Sequence, residues 1–296
     1  MPTNEQRREA AKRKLDRQLA RRAARAKRRR TYAVAGSAGA VVLVIGLVVL
    51  ITVLSGGDDG NVDTAAVPSA STVPSEESTD PTVSQSPEVE IPTERAEPPV
   101  RPQPLPPSVD CQYPAVQAPA KPVNPPPAGP TPTAGTVGVS LQTSAGTIPL
   151  TLDRSLAPCA VQSFLSLTEQ GYFNDTPCHR LTTGQGLQVL QCGDPSGTGT
   201  GGPGYSFADE TWPELTYGRG YLAMANSGPN TNGSQFFLVY GDAQLRPDYT
   251  VFGTIPDEGL RVIDEIARRG HDGSLEPSPG GGAPVEQVSI LRATLG

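Results

Sequence analysis

The chain of 296 residues has room for two domains, but 32 Pro and 32 Gly with only 5% aromatic residues argue that much of it is not packed core. Charge is unevenly placed: residues 1–30 hold 13 Lys+Arg against 3 Asp+Glu, a net of +10, so the whole-chain charge of −6 leaves −16 on residues 31–296, and a pI near 5.1 describes neither part. Four cysteines in no CxxC or zinc-ligand spacing, with only His179 and His271 beside them, argue against a structural metal site, and no cofactor is expected.

Residues 1–30 read as a basic, Ala-rich, helix-prone cytoplasmic arm. Such an arm can neutralise nucleic-acid phosphates. Here, however, Lys27-Arg28-Arg29-Arg30 abuts an apolar span, and anionic cytoplasmic lipid attracts a polybasic run at about 1 kcal/mol per charge. Membrane-surface and topology duty is therefore favoured, and no nucleic-acid partner is expected. Residues 31–57 contain no charge. As a helix, residues 32–54 would span about 35 Å at ~1.5 Å per residue, enough for a hydrocarbon core of ~30 Å. The alternative is a cleaved signal peptide, with an apolar core of about 7–15 residues and a small-residue cleavage site. This core is longer and ends in SGGDDG, so residues 31–55 are assigned to a retained transmembrane helix in lipid, amino terminus cytoplasmic and the remainder outside.

Residues 56–135 hold 19 of the 32 prolines, with Ser, Thr and Glu filling most of the rest. That composition reads as a disordered linker, partly polyproline II, because it offers too little apolar area to offset the entropy of ordering. As a random coil it would span about 50 Å. A docking site for a proline-binding module, or the protein's own substrate, is the functional alternative.

Residues 136–296 change texture. VGVSLQT and GTIPLTLD flank Ser144-Ala145-Gly146 in a strand-turn-strand pattern. Pro158 stands at a first helical position, Val161, Phe164, Leu165 and Thr168 follow at i, i+3, i+4 and i+7, and Gly171 stops the helix. Short strands are predicted at CHRLTT, LQVLQC, YLAMAN, QFFLVY and YTVFGTI, a second helix over 259–269 capped by Gly270, and a final strand in VEQVSILRATL.

Two stretches carry a family resemblance: YLAMANSGPNTNGSQFF at 221–237, and CHRLTTGQGLQVLQCG at 178–193, which keeps His179-Arg180 and Gln191 across a longer interval than is usual. With Leu245 and YTVFG at 249–253, they resemble the cyclophilins, the prolyl isomerases that bind a proline-containing peptide on the side of a small barrel. The resemblance covers roughly 137–295. It implies a mainly β fold, a closed eight-stranded antiparallel β-barrel capped by two helices.

The residues themselves offer no nucleophile and base pair, and GDPSGTGTGGPG at 193–204 lacks the lysine of a phosphate loop. Proline isomerisation requires neither. Its barrier is amide resonance, about 18–20 kcal/mol, lowered by holding the ring in an apolar slot and offering a donor to the prolyl nitrogen as it turns pyramidal. A guanidinium suits that task, being planar, multidentate and always charged.

The resemblance places that donor at Arg180, with Gln191 bonding the substrate backbone and Phe237 walling the proline slot; these are the catalytic candidates. It assigns substrate contacts to Val189, Gly199, Ala225, Asn226, Ser227, Gln235, Leu245 and Tyr249, with the 225–227 backbone accepting from and donating to an extended peptide, and a structural role as a core hydrogen-bonding residue to His179. Gln188 and Val189 replace an aromatic and a methionine position, which thins one side of the slot unless Leu187 fills it, and Gln244 replaces a tryptophan. The strands carrying Cys178 and Cys192 are paired in the family, which implies a cross-strand disulfide; Cys111 with Cys159 would then tie the linker's end to the first helix. The expected activity is peptidyl-prolyl cis-trans isomerisation on exported proteins. Rival readings are a weakly active or inactive peptide-binding holdase, and an anchored scaffold whose basic arm is the functional part.

Overall fold

The structure, a computed structural model, describes residues 89–296. The basic arm, the transmembrane span and linker residues 56–88 lie outside the described residues. Among the described residues no helix is long and apolar enough to cross a membrane.

Strands β3 (Thr136–Thr143) and β4 (Gly146–Asp153) form the expected hairpin. Their alternation puts Val139 and Leu141 opposite Leu150 and Ile148, all four buried. Helix α1 (Pro158–Glu169) follows, with proline in its first turn. Then come β5 (Thr176–Pro177), β6 (Arg180–Gly184), β7 (Leu187–Cys192), β8 (Tyr221–Met224), β9 (Phe236–Ala243) and β10 (Val251–Thr254). Helix α2 (Asp257–Arg269) starts two residues before the sequence pattern suggests, and β11 (Ser289–Leu295) ends the sheet.

The sheet has nine strands in the order β5-β11-β3-β4-β10-β8-β9-β7-β6. This corrects the expected closed, eight-stranded barrel. The order ends on β5 and β6, which are consecutive in the chain and joined covalently through Cys178 and His179 rather than by a ladder, so the sheet is curled without closing. Phe164 of α1 packs among Phe173, Phe236 and Phe252 at centroid separations of 4.8–5.3 Å and covers one side of the curl. Helix α2 buries Leu260, Ile263, Ile266 and Ala267, and its Asp264 takes a two-pronged bond from the buried Arg219 at 2.7 and 2.8 Å.

The linker expectation fails for residues 89–135. This segment forms β1 (Ser108–Cys111) and β2 (Gly129–Pro132), an antiparallel pair, and lies along the β domain. Disulfides join Cys111 to Cys159 in α1, and Cys178 to Cys192 between the β5/β6 junction and β7. The physical reason is that prolines remove donors without removing carbonyls, and the donors that remain find acceptors on a formed surface. The Arg101 Nε and Nη2 groups donate to Leu156 O and Glu210 O, both at 2.7 Å, while Lys121 Nζ donates to Gly171 O and Asn174 O beyond the end of α1, both at 2.9 Å.

Candidate active site

Strand register gathers the three catalytic candidates. Arg180 of β6 stands directly opposite Gln191 of β7, and Gln191 opposite Phe237 of β9. Side chains paired across adjacent strands share a face, so a cation, an amide and an aromatic ring fall in a row. They line a cavity of about 670 Å³ together with Val189, Leu245 and Tyr249. Ala225, Asn226, Ser227 and Gly199 form another part of its wall.

Polar contacts fix the row. Arg180 Nη1 donates to Gln191 Oε1 at 3.3 Å, and Gln191 Nε2 donates to Gln235 Oε1 at 2.9 Å. Gln235 Nε2 donates in turn to Gly199 O and Gly201 O, both at 2.9 Å. Gln235 is therefore behind Gln191, holding the Gly-rich loop, and lines a second recess of about 420 Å³ rather than the apolar cavity. Asp194 anchors that loop from inside: burial pushes its carboxyl up, but bonds from Ser196 and the Gly201 amide outweigh this and hold it low.

Burial pulls the Arg180 guanidinium down from its ordinary value, opposed by Tyr249 and Glu276 nearby. A guanidinium begins so high that it stays a cation. Its Nε donates to Gly280 O at 2.9 Å and its Nη2 to Pro279 O at 2.6 Å.

On the apolar wall it is the second alternative that the geometry has, with Leu187 filling the slot. Leu187 and Val189 stand two apart on β7, so strand alternation puts both side chains on the cavity face. Gln188 turns the other way, donating to Glu90 O and accepting from the Asp242 amide, so it does not thin the slot. Gln244 is exposed and donates to Asp242. The Tyr249 ring meets Phe237 edge-on at 5.6 Å.

One further expectation needs correction, and another is narrowed. His179 lies beside the cavity, but neither ring nitrogen has a hydrogen-bond partner among the described residues, so the core hydrogen-bonding role does not hold; burial, the largest effect, favours its neutral form. In the Ala225-Asn226-Ser227 stretch, the Ala225 amide donates to Gln235 O and the Ser227 amide to Thr231 Oγ1. With two of three amides engaged internally, a donor to a bound peptide has to come from Asn226.

Sequence reasoning missed Tyr217, whose hydroxyl donates to Tyr249 O and accepts from the Tyr249 amide, fixing that ring from behind. It also missed the 274–283 loop, which supplies Leu275, Pro279 and Ala283 to the cavity, and Val116 and Gln117, which line the second recess. The only signal was the odd composition of EPSPGGG at 276–282. Among the described residues no group of three His, Cys, Asp or Glu could hold a metal ion.

A curled sheet with two helices thus carries an arginine, a glutamine and a phenylalanine in register beside a partly apolar recess. Residues 138–295 match the family described as "Cyclophilin type peptidyl-prolyl cis-trans isomerase/CLD", and the chain belongs to that family. It is 54% identical over 196 residues to "Probable peptidyl-prolyl cis-trans isomerase B" of Mycobacterium leprae, covering 62% of this chain and 65% of the relative. The Mycobacterium tuberculosis protein of the same name is 50% identical over 200 residues, covering 63% and 64%. "Peptidyl-prolyl cis-trans isomerase A" of M. tuberculosis is 40% identical over 161 residues, covering 48% of this chain and 87% of that protein. The chain thus spans slightly less than two thirds of the two relatives named isomerase B.

Proposed function

We propose that this chain is a peptidyl-prolyl cis-trans isomerase that accelerates the folding of exported proteins from the outer side of a membrane. One observation carries the reading: the Arg180 guanidinium lines the same cavity as Phe237, Leu245 and Val189. A proline ring enters the apolar part, Gln191 and Asn226 bond the flanking backbone, and Arg180 Nη1 donates to the prolyl nitrogen as it turns pyramidal and amide resonance is lost. No covalent bond is made, so no nucleophile is required.

Two observations support that location: the apolar span at 31–55 after a basic arm, and two disulfides, which persist in oxidising compartments. Residues 1–30 would then be cytoplasmic, residues 56–88 a spacer, and residues 89–296 the outer domain that takes proline-containing polypeptides.

The test is a proline-isomerisation assay on the full chain in detergent micelles, wild type against Arg180→Ala. Removing a single donor to a transition state typically lowers the rate by about 10²–10³-fold, and that loss is expected in kcat/KM. Equal rates for the two proteins would favour the holdase reading.

A further inference from the structure

We propose that the 272–283 loop is a clamp that sets the plane of the Arg180 guanidinium, with Glu276 as its positioning residue. The proposal rests on Arg180 being the catalytic donor.

A guanidinium is planar, so bonds along one edge fix its orientation. Here the Nε and Nη2 edge is held by two successive carbonyls, Gly280 O and Pro279 O, and Nη1 is turned toward Gln191. The carbonyls can do this only if the loop is itself rigid. Its ends are tied by Asp272, whose Oδ1 accepts from the Ser274 and Ala283 amides, both at 2.9 Å. Its middle is closed by Leu275 N–H to Gly281 O and Gly280 N–H to Leu275 O, both at 3.0 Å. The Glu276 carboxylate reaches back to accept the Gly281 amide at 2.5 Å, adjoining the two clamping carbonyls.

Docking to β6 falls one residue from Arg180: Leu181 and Gly282 exchange backbone bonds at 2.7 and 3.1 Å. Gly281 has φ +80, and a Cβ there would lie 2.1 Å from Leu181 O, so only glycine lets the loop come this close. The loop and the arginine it holds are thus placed as one unit.

The experiment compares wild type, Glu276→Ala and Glu276→Gln in the full chain, by isomerisation kinetics and by the NMR signal of the Arg180 Nε–H group. Loss of an interaction that serves only the transition state lowers kcat and leaves KM alone. Glu276→Ala is expected to lower kcat about tenfold with KM within about twofold of wild type, and to move the Nε–H signal toward that of a free arginine. Glu276→Gln keeps an acceptor oxygen and should restore both readouts. Gly281→Ala, which forces the loop off β6, should move the same signal if the domain stays folded by its other resonances. Unchanged or faster turnover in Glu276→Ala overturns the clamp, as does an Nε–H signal indifferent to both variants. Failure of the isomerase reading looks different: there Arg180→Ala would itself turn over like wild type.

Discussion

Two regions of this domain reach an ordered state by different means. Residues 136–295 do so through backbone ladders and a buried aromatic centre, whereas residues 89–135 have one short ladder and few buried apolar side chains, chiefly Cys111 and Tyr113. In their place the proline-rich segment uses long side chains that reach carbonyls of the β domain, a Tyr113 hydroxyl bonded to Cys159 O, and a disulfide into α1. Composition measures how little apolar surface a segment brings; it does not count the acceptors waiting for it elsewhere. A segment poor in core can be ordered by a partner that is rich in it.

That contrast predicts unequal consequences of damage. Phe164→Ala removes the ring at the centre of the Phe173, Phe236 and Phe252 cluster. It should destabilise the whole domain by as much as about 5 kcal/mol in denaturant unfolding, with the segment and the sheet lost in one transition. Replacing Cys111 and Cys159 together by Ser opens a 48-residue separation, worth about 4 kcal/mol on the chain-entropy view. Here hydrogen exchange should rise across 89–135 while the amides of β3, β4 and β9 stay protected. Equal exposure of both regions would show that the segment is an integral part of the core.

The sequence reveals the first of these regions better than the second. Alternation in VGVSLQT and GTIPLTLD, and the spacing from Pro158 to Thr168, are local signals of burial, and the structure has β3, β4 and α1 where they point. The row of Arg180, Gln191 and Phe237 was reachable only through resemblance, because it depends on cross-strand register, Gln191 pairing with Phe237 46 residues further on. The order in 89–135 left no local trace. Arg101, Lys121 and Asn124 look like ordinary surface residues until their distant partners are known. That Gln188 faces away from Leu187 and Val189 is strand alternation, but which of the two faces meets the cavity depends on how β7 pairs with β9.

The two regions meet at the first turn of α1, and the smallest predicted effect tests that junction. Helix α1 has no capping side chain of its own and no acidic residue in its first turn. Its Cys159 and Ala160 amides instead donate to the Glu210 carboxylate at 3.1 and 2.8 Å, and Arg101 of the proline-rich segment bonds the Glu210 carbonyl. Burial, the dominant effect, raises the Glu210 carboxyl to about 7, against the pull of those amides and of Arg101. A carboxyl raised on folding binds its proton more tightly in the native state. Its contribution is therefore fully present below the unfolded value near 4.5 and is lost as pH rises through about 7. The loss over that range is at most about 3.5 kcal/mol, because each tenfold gain in proton affinity on folding is worth about 1.4 kcal/mol. Glu210→Gln keeps an acceptor at the helix start and removes the titration. Its stability should fall less than that of wild type over this range, in urea unfolding followed at several pH values. Parallel profiles for the two proteins would mean that the amides and Arg101 outweigh burial, and that the junction is held by a permanent carboxylate.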